Sequence, residues 1–526
     1  MLRANIERKI LSVSVGRDRR REKHAVHAAM DSTRAVRRIK SNAYSIVASQ
    51  LLRCLPLPMS SPSLPPLLDE TLRSVARRYR LPPLTAPSGA GLRGDPASAL
   101  ALAIEQAREA LASGSVPDPQ VKRHFIEALA RMIRDAMRDG EAGDPVFQAM
   151  ELRHRVAHVR EYASLAAHAD QDRRQVRMAV NRVAHPARQQ RVPAGPQRAA
   201  LAQLHASAAS ASWQDVRAAA LCLLAMPLVD GDAPAGSHRL AQLRDDPALA
   251  RLERLDALAE DALVRRYQCL WDRNGPRSGS PRAVAQGVAA QRRGAAVEAL
   301  AAQALQALAQ RLNQTEAPRA SYRVVTSMRV PASIPGSPDR AKTEWDAVLL
   351  GRAAAAEPAG AWDVCLLVEA KASVEAATTD LPRLLRGLHL LAQADVGEVY
   401  AFATRQGTVH LRGASLGALP TGPAGLEHAV LYCCDAPCEA PARLLGAASR
   451  MQLLSDPASL AYAGALAAGQ QADPQGLVAV WDHLLDSPRW RTVLHQYPML
   501  RHVRELMVHA SDLLTAIETV AADRPA

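Results

Sequence analysis

The amino-acid sequence predicts the α/β fold class, with an α/β core flanked by mostly α-helical N-terminal and C-terminal regions. Three observations lead there. Apolar residues recur at three- and four-residue spacing from about 97 to 271, and that pattern returns after about 440. Between about 290 and 412 the chain changes to short apolar runs bounded by Gly and Pro. Those runs follow the order helix, three strands, helix, strand, which builds a layered α/β unit.

In chain order, residues 1–65 read as a basic, disordered extension and linker, with Met30 as an alternative start. Twelve Lys/Arg against four Asp/Glu fall within residues 1–40, and stretches 54–66 and 81–97 are rich in Pro, Ser and Gly. Residues 66–272 read as a helical domain, with helices over 99–112, 119–138, 148–168 and 199–209 and with Asp118 and Ser212 as N-caps. Residues 273–289 read as a linker. The α/β domain spans 290–440. It opens with a helix over 294–312, strands over 321–330, 344–352 and 362–372, and a turn over 351–360. A helix over 380–394, a fourth strand over 398–404 and edge strands over 408–412 and 429–433 complete it. Residues 441–526 form a C-terminal helical segment.

Composition narrows the classes further. The apolar residues are mainly Ala, Leu and Val, with three Phe in 526 residues, which suits helical cores. The longest apolar run, Ala218 to Val229, is too short for a bilayer and holds a proline, so no membrane partner is expected. The basic N-terminus lacks an apolar signal core, and the seven cysteines are odd in number and scattered. A cytoplasmic protein is expected. The formal charge of +13 is uneven: seven arginines and no acid lie between Arg173 and Arg198, whereas residues 290–440 hold 14 basic and 15 acidic residues. The Arg173–Arg198 stretch suits phosphate oxygens, with Arg173, Arg174 and Arg177 as candidate substrate-binding residues and nucleic acid, DNA or RNA, as the partner.

Lysine is scarce, at six against 59 arginines. One of the six, Lys371, closes the apolar run Trp362-Asp-Val-Cys-Leu-Leu-Val-Glu369-Ala-Lys371. Strand alternation puts Cys365, Leu367, Glu369 and Lys371 on one face. Glu344-Trp-Asp346 opens the preceding strand, 23 residues before Glu369 at its second acid. A hairpin of the two strands brings Asp346 and Glu369 together. Paired carboxylates suit Mg2+ or Mn2+, and a compact ammonium beside them suits charge stabilisation or orientation of a water.

At these residues the chain resembles the PD-(D/E)xK nuclease superfamily, over about residues 290–412. The resemblance implies a restriction-endonuclease-like αβββαβ core and a metal-dependent nuclease. It assigns Asp346 and Glu369 to metal binding, with the backbone carbonyl of Ala370 as a further ligand, and Lys371 to catalysis. Glu298, in the preceding helix, matches the extra acid of some branches. Asp339 of the literal Pro338-Asp339 dipeptide is the alternative motif acid, and Glu344 a further one. Arg383 and Arg386 on the following helix are candidate phosphate contacts. The rival readings are a non-catalytic nucleic-acid-binding module and a protein-interaction scaffold that uses the helical region. Two other clusters have bland readings: Glu151, His154 and His158 as a polar helix face, and Cys433, Cys434 and Cys438 as core thiols.

Overall fold

A computed structural model describes residues 65–81, 84, 95–226, 233–276, 279–353, 360–439 and 442–522. The extension over 1–64, most of the 81–97 stretch and the turn residues 354–359 lie outside these. The chain divides into two compact units, each made of separate segments. One comprises residues up to 117, 284–449 and 488–526; the other comprises 118–283 and 450–487. The α/β class is observed in the first, and the second is helical.

The first unit is built on a seven-stranded mixed sheet: β1 (Ala320–Arg329), β2 (Glu344–Ala353), β3 (Asp363–Lys371), β4 (Val399–Thr404), β5 (Gly407–Arg412), β6 (Val430–Cys434) and β7 (Met507–His509), in the order β5-β4-β1-β2-β3-β6-β7. β1, β2 and β3 form an antiparallel meander, while β6 lies parallel to β3 and β7 parallel to β6. The hairpin β4–β5 turns at Gly407, whose φ of 104° favours glycine, and pairs with β1 at the opposite edge. Val348, Leu349, Leu350, Leu366, Leu367 and Val368 are all fully buried, as expected of central strands covered on both faces. On one face pack the helices Pro281–Glu316, Pro66–Ser74 and Ala510–Ala522. On the other pack Val374–Leu391 and Gln496–Leu506.

Several boundaries differ from the sequence expectation. The 36-residue helix starts at Pro281, inside the stretch read as a linker. Proline at a first helical position costs no hydrogen bond and presets φ. From there Val297, Ala301, Ala304, Leu305, Leu308 and Leu312 line the buried face. The helix expected over 380–394 begins at Val374, capped by the Ser373 hydroxyl, which accepts from the Ala376 N–H at 3.2 Å. Pro382 therefore sits within the helix instead of marking its start. The C-terminal segment is not wholly helical: β7 has three residues, too few to show a period. Cys365 does not share a face with Leu367. A bulge between Leu349 and Leu350 shifts the β2–β3 register, so Cys365 packs with Leu366 on the opposite layer.

In the second unit, the helix expected over 148–168 is two helices, Pro145–Arg155 and Ala157–Ala166. The break is at Val156, held extended (φ −101°, ψ 117°) with its side chain buried among Leu152, Val159 and Val264. Asp118 caps its helix by accepting from the Gln120 N–H at 2.6 Å, while Ser212 occupies an N-cap position without a side-chain bond. No helix among the described residues is long and apolar enough to cross a membrane.

Candidate active site at the end of strands β2 and β3

The last paired residues at this end of β2 and β3 are Ala347 and Val368, and the next step along each strand is Asp346 and Glu369. Asp346 is the neighbouring charge that most raises the Glu369 carboxyl, which places the two acids within electrostatic reach of each other. The Ala370 N–H donates to Asp346 Oδ2 at 2.9 Å and fixes that carboxylate against β3. Glu369 is fully buried. Its Oε2 accepts from Lys371 Nζ at 3.1 Å and from Lys342 Nζ at 2.5 Å. Its Oε1 is buried and has no hydrogen-bond partner. Lys371 also lies 3.4 Å from Asp380, whose Oδ2 accepts from the Tyr432 hydroxyl at 3.4 Å.

The electrostatics follow from burial and crowding. Burial first, then the neighbouring Asp346, pushes the Glu369 carboxyl up to about 7, and the two lysines oppose this without cancelling it. Burial lowers the Lys371 ammonium, but Glu369, Asp380 and Asp346 outweigh it and raise it above its ordinary value. Burial and then Asp380 raise the Tyr432 phenol. Glu298, exposed on the long helix, is raised by partial burial and next by Asp346, which puts it within electrostatic reach of the pair.

The structure thus brings together Asp346, Glu369 and Lys371, with Glu298 within their electrostatic reach. It adds Lys342, Asp380 and Tyr432, which the sequence reading did not select. Lys342 had a signal, since it is another of the six lysines. It is 5 % exposed, and its N–H donates to the Arg383 carbonyl at 3.1 Å. Gly387 lets the loop come this close, because a Cβ there would stand 2.7 Å from Lys342 Cβ.

The remaining candidates lie elsewhere. Asp339 is exposed in its loop, its N–H donating to Ser337 Oγ at 3.3 Å. Glu344 faces Arg329 at 3.4 Å. Arg386 donates to the Arg340 carbonyl at 2.8 Å, and Arg383 is exposed. In the second unit Arg173 pairs with Asp170 at 2.8 Å, Arg177 donates to the Ala208 carbonyl at 3.3 Å, and Arg174 is exposed. Glu151 is held by Arg155 at 2.6 Å, and His158 lies 3.2 Å from Asp261. With the break at Val156, Glu151 and His158 belong to different helices. Cys433 and Cys434 point into opposite core layers, and Cys438 is exposed.

Among the described residues no group of three or more His, Cys, Asp or Glu is placed to hold a metal. The strand end offers the two carboxylates of Asp346 and Glu369. It fits a hard divalent cation on one specific ground: a carboxylate oxygen buried without a partner, Glu369 Oε1, beside a second acid that raises its proton affinity. A comparison of the chain with family models, curated proteins and solved structures finds no match.

Proposed function

We propose that this chain is a Mg2+- or Mn2+-dependent nuclease of restriction-endonuclease-like fold that hydrolyses phosphodiester bonds in DNA or RNA. The observation that carries the reading is the meeting of Asp346, Glu369 and Lys371 at the end of two adjacent strands. Asp346 and Glu369 are the metal-holding acids, with the Ala370 carbonyl as the further ligand. A bound Mg2+ would supply an acidified water and neutralise charge on the phosphate.

The chain's own residues do the rest. The Ala370 N–H orients Asp346. Lys342 and Lys371 both hold Glu369 Oε2, which leaves Oε1 as the oxygen that would be free to hold a cation. Lys371, kept protonated by its acidic neighbours, holds an anionic phosphate oxygen or orients the attacking water. Glu298, whose raised proton affinity favours accepting a proton, assists from the neighbouring helix.

A second reading has its own support. Lys342, Glu369, Lys371 and Asp380 already form a continuous ion-paired cluster, which suits a non-catalytic module that binds nucleic acid or protein. Incubation of the purified chain with DNA and RNA, with and without Mg2+ or Mn2+, separates the two. Cleavage that needs metal and falls by two to three decades in Asp346→Ala and Lys371→Ala is expected. Binding without metal-dependent cleavage, or cleavage unchanged in both variants, favours the module.

A further inference from the structure

In the second unit, Arg182 on helix Ala169–Ala184, together with Arg188 and Arg191 just beyond its end, lines one concavity of about 530 Å3. Asn181 lines it too, and also lines an adjoining hollow of about 330 Å3 with Arg177 and His205, so the two run together along the helix. All three arginines are exposed, and among the described residues none makes an ion pair. Several other arginines of this unit are ion-paired, as in Arg251 with Asp172 at 2.6 Å and Arg254 with Glu161 at 2.8 Å. No acid occurs between Arg173 and Arg198, so nothing in this stretch offsets its positive field.

The chemistry of the hollow narrows its partner. Planar guanidinium groups match phosphate oxygens two at a time. No Phe, Trp or Tyr lies between residues 169 and 210, so there is no platform for base stacking. Arg177 to Arg182, the arginines of this helix that line the two hollows, cover about 7.5 Å of helix axis, the length of about two nucleotide steps of one strand. A membrane surface would meet exposed apolar groups, and Met178 is the one large exposed hydrophobic lining this hollow among the described residues.

We propose that this concave arginine surface grips the phosphodiester backbone of nucleic acid without reading its sequence. The choice of nucleic acid as the polyanion rests on the function proposed above, and the experiment keeps the two apart. The full chain carrying Asp346→Asn is titrated, without divalent metal, into labelled single- and double-stranded oligonucleotides of two unrelated sequences, over about 50–300 mM salt. Adding Arg182→Ala, Arg188→Ala and Arg191→Ala is expected to weaken binding to every probe on the order of tenfold or more. The slope of log K against log salt should fall in magnitude by about two to three. Removing instead the exposed Arg265, Arg319 and Arg491 should leave that slope in place.

An unchanged slope in the triple variant overturns the proposal, as does an equal loss in the control. Tighter arginine-dependent binding to phosphatidylglycerol vesicles than to any oligonucleotide overturns it as well. Arginine-dependent binding by a wild-type chain that cleaves nothing upholds this surface and contradicts the nuclease. Metal-dependent cleavage by the wild type alongside an indifferent triple variant does the reverse.

Discussion

At the end of β2 and β3, Lys342, Glu369, Lys371 and Asp380 are closed in on one another and depend on each other for solvation. Along helix Ala169–Ala184 and just past it, Arg182, Arg188 and Arg191 face solvent and depend on nothing nearby. The same kinds of charge therefore obey different physics in the two units. Buried charges cost desolvation and are coupled, so removing one changes the proton affinity of the next. Exposed ones are cheap, close to independent in stability, and act at a distance through salt-dependent fields.

That contrast is most easily broken by stability. Lys342→Met leaves the fully buried Glu369 with one cationic partner fewer and is expected to cost about 3–5 kcal/mol. Arg182→Ala should stay within about 0.5 kcal/mol. Denaturant midpoints of the two variants check both, and a neutral Lys342→Met would show the cluster to be far better solvated than its burial implies.

The next effect is on pH dependence. Glu369 is raised from 4.5 to about 7 in the folded state. Between these values the folded form binds more protons than the unfolded one, so this group's stabilisation is fully present below 4.5 and is lost as pH rises through 7. The loss is expected to reach about 3 kcal/mol. It is read in metal-free protein as the difference between wild type and Glu369→Gln, and parallel stability–pH curves would contradict it.

The smallest effect sharpens the comparison by its sign. Asp346 is the neighbouring charge that most opposes ionisation of Glu369. Asp346→Asn keeps an oxygen for the Ala370 N–H while removing that repulsion. It is expected to stabilise the metal-free chain by about 1 kcal/mol, as is common where a functional charge is neutralised. Destabilisation would mark Asp346 as a structural residue.

The sequence was most legible where one strong local rule acted. β2 and β3 are long apolar runs, and they form the antiparallel pair expected of them, with Asp346 and Glu369 each one step beyond the last paired residues. The scarcity of lysine drew attention to Lys371. Legibility failed where partners come from elsewhere in the chain. Lys342 reaches Glu369 from the segment before β2, brought in by its backbone bond to Arg383 and the close approach of Gly387. Asp380 read as a helix start, yet it lies in the second turn and faces Lys371. Cys365 was assigned to the wrong face because a bulge obeys register, which alternation alone does not show. In the arginine stretch, composition could not tell Arg173, which is ion-paired with Asp170, from Arg182, Arg188 and Arg191, which line the hollow without an ion pair among the described residues.

The claim at the centre of this account is that Asp346 and Glu369 jointly hold a divalent cation. Mn2+ titration of the full chain, with free ion followed by electron paramagnetic resonance, tests it without relying on any substrate. The account expects saturable Mn2+ binding by the wild type that is lost in both Asp346→Asn and Glu369→Gln. Equal Mn2+ binding by all three proteins, or none by the wild type at millimolar metal, would contradict it.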